Sequence, residues 1–582
     1  MRDPILRALA ARPAAKALLL AAVSLLSASC GPSGSQVPAD VANAGTCTIS
    51  AATMATWFKS GSITLDGEVT PADSINFPDH PNCDFYVWSE RMFLWLTSPT
   101  PPSYGGGGGR IFASPAFFDV SPEDSAHHRT LIAHHAGLPV MLQLRDLQKG
   151  AHELPLLQDR RTGQFFELAP TLFSARKLPM IQDVQGKQVE IQRAEFSKNG
   201  GPPALFDPDG RKIDFLRKRE QRLDNQNIPE IQKFTLDGHI VFFNIFGDFL
   251  EAEQAEADTG VLMAQKSSLV YYTLEVNDVY GYFASGLAAG AISATRFPIS
   301  AADETPIQSY AATKGVSSFP DPEALTMELK TAWVEATSLP AGCTYITMKA
   351  TIPTYDQTST TVWPKTGTKT VTLAMIGMHV VGSTGSTNPA NTVHGHPEMI
   401  WATFEHKCNA PAASYTYNGA SSNESGPTET GPWLLSSTNT PATPINARQQ
   451  YNDVPTPPEI DALSGNTIGP TDVQREFPWG MAGNNSGSNT EVIAADHAVQ
   501  TNLAAGDVRA NYIMTGSTWR IFGGITAPQV GTNVLANTTM ETFAQGSNCF
   551  SCHQSGSAPG QFLGTSDGQG LSHIVGEIQP LP

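Results

Sequence analysis

Charge is scarce in this chain. Asp, Glu, Lys and Arg together make up 15% of 582 residues, well under the roughly 25% usual in soluble proteins. Coiled coils and helical repeats, which cover their outer faces with charge, are excluded on that ground. Basic residues are the scarcer sign: 36 Lys and Arg stand against 54 Asp and Glu, a net charge of −18. Nucleic acid is therefore not an expected partner, because phosphate binding needs concentrated Lys and Arg. Long apolar runs are lacking too. The one sustained stretch, Ala17 to Leu26, is too short for a stable membrane-spanning helix, so a polytopic membrane protein is excluded. What is plentiful is Gly and Pro, 50 and 43 residues, on a 40% hydrophobic background. That composition favours a globular protein of short strands and turns, and the length allows two to four domains.

The N-terminus reads as an export signal. Arg2, Arg7, Arg12 and Lys16 form a basic region ahead of the apolar stretch, and Ser27, Ala28 and Ser29 lead to Cys30. This arrangement resembles a bacterial lipoprotein signal. The resemblance implies cleavage before Cys30, acylation of that cysteine and anchoring to a membrane through its lipid. Gly31, rather than Asp, follows Cys30 and is compatible with outer-membrane sorting. The expected location is the bacterial cell envelope.

Seven cysteines divide readily. Cys30 is assigned to the lipid, and Cys549 and Cys552 share one short motif. Cys47, Cys83, Cys343 and Cys408 remain, an even number suited to an oxidising compartment. Three pairings are possible. Proximity along the chain favours Cys47–Cys83 and Cys343–Cys408.

The motif is Cys549-Phe550-Ser551-Cys552-His553, the C-x-x-C-H attachment pattern of c-type haem. Two thiols at this spacing reach the two vinyl groups on one porphyrin edge, and the next residue sets an imidazole on the iron. His553 is thus the expected proximal ligand of one covalent haem c. A redox C-x-x-C or half a zinc site would not need the histidine, and no second C-x-x-C completes a zinc site. No Met follows His553, so a downstream thioether ligand is excluded. The candidate distal ligand is His573, reached across a Gly/Ser-rich stretch. Met540 competes less well: Thr538 and Glu541 suggest a capping box and a helix there, with Met540 and Phe543 on one face packing a pocket.

Upstream, Phe85, Trp88, Met92, Trp95 and Leu96 recur at helical spacing within 83–97. Strand patterns appear at 138–145, 234–246 (with a turn at Asp237-Gly238), 268–276, 345–353, 371–382 and 399–407, and Asn277 or Asp278 is placed to cap a helix toward Gly290. Helical spacing returns at Val508, Tyr512 and Trp519. The expected fold is mainly β (α+β): a β-rich body of sandwich-like sheets with a small, mostly helical C-terminal haem segment. The expected divisions are a signal peptide at 1–29, a tether at 30–45, an α+β domain at 46–315, a β domain at 316–410, Ser/Thr/Gly/Pro-rich surface loops or a linker at 411–490 and the haem segment at 491–582. His394, His396, Met399 and His406, with Met378 and His379, resemble a copper donor set, but without a thiolate in reach they read as ordinary core and loop residues. His127, His128, His134 and His135 read as surface residues.

Several runs are familiar: Asn82-Cys83-Asp84-Phe85-Tyr86 through Phe93-Leu94-Trp95-Leu96-Thr97, Glu328-Leu329-Lys330-Thr331-Ala332-Trp333, His396-Pro397-Glu398-Met399-Ile400-Trp401-Ala402-Thr403-Phe404-Glu405-His406, and Thr539-Met540-Glu541-Thr542-Phe543. With the C-terminal motif they resemble a family of large exported bacterial proteins catalogued loosely as cytochrome c family proteins. The resemblance spans most of the mature chain but skips 411–490. It implies haem binding at Cys549, Cys552 and His553 and supplies no activity. The leading expectation is a membrane-anchored monohaem electron carrier working with a redox partner protein or a small electron donor or acceptor. A haem oxidoreductase of peroxidase or oxygenase type, with an open iron under the β body, is the alternative. A non-catalytic haem sensor or surface binding module is the third. The body from 46 to 490 is far larger than electron transfer requires.

Overall fold

The computed structural model describes residues 47–582 except chiefly 135–139, 142–155, 160–164, 197–200, 218–229, 252–254, 419–422, 442–447, 453–456, 481–486 and 554–570, with breaks of one to three residues elsewhere. The signal peptide, Cys30 and the tether lie outside the described residues, as does most of the strand expected at 138–145. Strands account for 33% of the structure against 19% helix, in several sheets. The fold is mainly β.

The largest sheet is an antiparallel run in the order β2-β1-β3-β4-β6-β7-β8-β9. These strands are β1 (Phe117–Val120), β2 (Leu131–Ala133), β3 (Tyr271–Asn277), β4 (Met327–Glu335), β6 (Val362–Gly385), β7 (Gly395–His406), β8 (Tyr512–Arg520) and β9 (Gln529–Gly531). A further strand, β5 (Thr347–Tyr355), pairs with the first half of β6. All twelve residues of β7 are buried, because both faces of the central strands are covered. On one face, Ile400, Ala402 and Phe404 pack into a core with helix α1 (Asn82–Leu96). Phe93 stacks on Phe404 at 4.3 Å, and Phe85 lies flat on Trp519 at 3.7 Å. On the other face, Met399, Trp401 and Val381 meet α2 (Asp278–Ala288) and α3 (Ala301–Thr313). Helices therefore cover the central strands in place of the expected sandwich-like pairing of sheets.

Local chemistry sets the helix ends. In α1, Asp84 sits in the first turn, where a carboxylate faces unpaired N–H groups. At the other end, Thr97 and Ser98 hydroxyls donate to the carbonyls of Phe93 and Leu94, and Pro99 prevents continuation. Asn277 caps α2, its side chain accepting from the Tyr280 N–H at 3.0 Å.

Strands of this one sheet come from all four expected segments after the tether, residues 449–462 included, so the boundaries at 315, 410 and 490 run through it. Between β2 and β3 the chain builds smaller sheets, with their own apolar cluster of Ile181, Leu205, Phe234 and Phe243. The 411–490 segment, expected as surface loops or a linker, is partly internal. Trp433, Leu434 and Leu435 are buried, and Leu434 donates its N–H to Cys408 O. Arg475, 1% exposed, lies between Glu405 at 2.5 Å and Glu429 at 3.6 Å. The C-terminal segment is not the expected mostly helical unit. It opens with helix α4 (Gly487–Asn502), but Val508, Tyr512 and Trp519 do not continue as helix. A short 3-10 turn ends at Asn511, and β8 then pairs with β7, where ladder bonds and burial on both faces outweigh the helical spacing. The expected helix at 538–541 is a single turn capped by Asn537: Met540 and Glu541 donate their N–H groups to Asn537 O.

Cys47 is bonded to Cys83 on α1, and Cys343 to Cys408, with Cα separations of 5.2 and 6.5 Å. They close loops of 36 and 65 residues, each worth on the order of 4 kcal/mol in the loop-entropy account.

Candidate haem-attachment site

Cys549–Cys552 form a single helical turn, α5, that ends at His553. Cys549 is partly exposed and belongs to neither disulfide; the Cys552 side chain lies outside the described residues. Phe550 anchors the turn. It packs with Trp401 of β7 at 6.1 Å, edge to face, and the Arg520 guanidinium lies over its ring at 4.5 Å. Trp401 also meets the His553 ring at 4.2 Å, and its indole N–H donates to Glu398 O. The motif is thereby seated on the α2/α3 face of the sheet.

A second contact fixes the imidazole. His553 Nδ1 lies 2.9 Å from Leu571 O. With Nδ1 donating, Nε2 is left as the nitrogen available to a metal, the orientation a haem-ligating histidine needs. Burial and then His573 hold His553 well below the usual imidazole value, so the ring is neutral. Two cysteines and a neutral, oriented imidazole on one turn form a donor set that fits haem c.

His573 is brought to the same place. Its ring stacks on His553 with centres 4.1 Å apart and planes 12° from parallel. Two imidazoles sharing an iron point their nitrogens at each other along a line through the metal. These rings instead face each other flat, so His573 as sixth ligand requires its ring to turn. The surrounding chain is firmly placed. Leu571, Ile574, Val575 and Ile578 pack into the cluster of α2 and α3, Ser572 Oγ meets Tyr280 Oη at 2.5 Å, and Glu577 pairs with Arg129 at 2.5 Å.

The remaining candidates separate. Met540 is fully buried in another cluster, with Ala374, Ile376 and Cys408, and Phe543 lies outside the described residues. Of the copper-like set, His394 is exposed with a left-handed φ of 64°, while His396 is buried, so the two do not share a side. His396 lies between Asp79 and Glu398. His406 stacks on Tyr345 at 3.5 Å and bonds Thr344 O. His379 pairs with Glu541 at 2.6 Å. Burial would raise the Glu541 carboxyl, but the His379 charge and hydrogen bond outweigh it and hold it down to about 2. His379, His396 and His406 are each occupied by partners of their own, not by a common centre.

Among the described residues no helix is long and apolar enough to cross a membrane. No protein-family model, curated protein or solved structure matches this chain.

Proposed function

We propose that this chain is an exported, lipid-anchored protein that binds one haem c covalently and carries electrons in the cell envelope. Cys549 and Cys552 would hold the haem through two thioethers, each formed by adding a thiol across a vinyl group, and His553 Nε2 would take the iron. Bound there, haem supplies a one-electron couple. The observation that carries this reading is the seated motif: a C-x-x-C-H turn whose histidine is oriented by Leu571 O and packed on Trp401. The chain's own contribution is to bury one side of the site against β7 and to set polarity with Trp401, Phe550 and Arg520. A partner protein or small redox molecule would exchange electrons at the exposed edge.

The flat His553–His573 stack favours a second reading, in which the sixth position stays open and the protein acts as a haem oxidoreductase or sensor. Optical spectra of the reduced protein, made in a host that matures cytochromes c, separate the two. Sharp low-spin bands indifferent to carbon monoxide are expected for the electron carrier. A high-spin spectrum that carbon monoxide shifts supports the open-iron reading. Absence of haem bands removes both. In a low-spin protein, His573→Ala is expected to give a high-spin, carbon-monoxide-binding iron; an unchanged spectrum takes His573 off the ligand list.

A further inference from the structure

His134, expected at the surface, is buried at 7% exposure, and it meets two carboxylates there. Asp119 on β1 is the cross-strand partner of Glu275 on β3. His134 follows β2, next to the Phe118–Ala133 pair, which brings its ring beside Asp119: His134 Nε2 lies 2.8 Å from Asp119 Oδ1. One ligating atom from each residue falls within 4.8 Å of the others. Glu275 is completely buried, and neither of its oxygens has a hydrogen-bond partner; the same holds for both His134 nitrogens and Asp119 Oδ1. Five polar atoms of three residues thus converge, and the 2.8 Å approach of His134 Nε2 to Asp119 Oδ1 is not a well-formed hydrogen bond. Buried polar atoms are ordinarily satisfied, and two adjacent carboxylates with one wholly buried are costly unless a cation lies between them or one takes up a proton, which burial and then Asp119 favour at Glu275.

We propose that Asp119, His134 and Glu275 bind a divalent transition-metal ion of the zinc class. Two carboxylates and a neutral imidazole around a dication give a site of zero net charge. The imidazole disfavours magnesium and calcium, which take all-oxygen shells with more ligands, and the lack of thiolate disfavours copper(I). Three protein ligands leave a fourth, tetrahedral position for water. The Asp119 side chain, 13% exposed, gives the ion its way in. The ion pins β1, β2 and β3 together at the edge of the sheet. Arg129, just before β2, pairs there with Glu577 and bridges to Ile578, so the same edge carries the C-terminal segment.

The proposal is independent of haem, and its test reads metal alone. The full chain, stripped with chelator, is titrated with zinc chloride by calorimetry and melted with and without zinc. One-to-one binding and a higher melting temperature are expected, with magnesium giving neither. Glu275→Gln keeps the shape and removes the charge, and it is expected to weaken zinc at least about 100-fold. His134→Gln should do the same and stands in if the first variant fails to fold. Absence of zinc binding, equal binding of magnesium, or variants that bind zinc as the wild type does would each overturn the site.

Discussion

Changing Cys549 and Cys552 together to alanine is expected to abolish covalent haem completely while the β body remains folded. The all-or-none size of the effect follows from the chemistry, since each thioether needs its own thiol and no other cysteine is available. Cys47, Cys83, Cys343 and Cys408 are bound in disulfides, and Cys30 is the residue proposed to carry the lipid. Survival of the body follows from where the motif sits. It is one turn on the α2/α3 face of the sheet, and its packing onto β7 runs mainly through Phe550 and His553, which the substitution leaves in place. The central strands draw mainly on α1, α2 and α3 for their burial, and Phe550, the turn's own member of that cluster, is unchanged in the variant. The checks are a haemochrome spectrum on denatured protein and far-ultraviolet circular dichroism. Either single variant should keep a shifted, singly attached haem. Covalent haem surviving in the double variant, or absent from the wild type, would remove the attachment site from these residues.

Part of this was readable in the residues and part was not, and the division is physical. The α1 helix was legible because its helical spacing agrees with its buried face, and the strands at 271–277, 347–355 and 395–406 because they read as alternating or short apolar runs. Tyr512–Arg520 misled, since a strand buried on both faces has no alternation and its large residues matched a helical spacing by coincidence. The 411–490 segment misled for a different reason. Its internal members, such as Trp433 and Arg475, are isolated in polar sequence and are buried by partners far away in the chain, Arg475 by Glu405. The C-x-x-C-H motif stands out in the sequence because five residues at one spacing would carry the proposed chemistry. The three-residue cluster proposed to hold a metal does not: Asp119, His134 and Glu275 are far apart in sequence and meet only through strand pairing. A signal did exist. Asp119 and Glu275 each interrupt an apolar strand, Phe-Phe-Asp-Val and Leu-Glu-Val, and a carboxylate at such a position asks for a partner.

The largest effect expected on stability comes from His396, at the start of β7. Its side chain is fully buried, with Nδ1 2.8 Å from Glu398 Oε1 and Nε2 3.2 Å from Asp79 Oδ1, and the Phe85 ring edge-on at 5.1 Å. Burial disfavours the imidazolium, but Glu398 and then Asp79 outweigh burial and raise its pKa from 6.5 to about 9. A histidine raised in the folded state stabilises fully below its unfolded pKa and loses that contribution as pH climbs to the folded value. The window is therefore pH 6.5 to 9, and the shift corresponds to about 3 kcal/mol. Other groups titrate within it, because burial also raises Glu304 to about 8 and Glu328 to about 7. The informative quantity is thus the difference between wild type and His396→Gln, measured by urea unfolding from pH 6 to pH 10. At pH 6 the variant should be less stable by roughly 3–5 kcal/mol, because two buried carboxylates lose their cation. The difference should shrink by about 3 kcal/mol as the pH passes 9. Replacing Glu398 by Gln in the variant should recover part of the loss at pH 6, by removing one of the stranded charges. A difference that stays constant with pH would mean that His396 is buried neutral and that the Asp79–His396–Glu398 chain is held by hydrogen bonds without an ion pair.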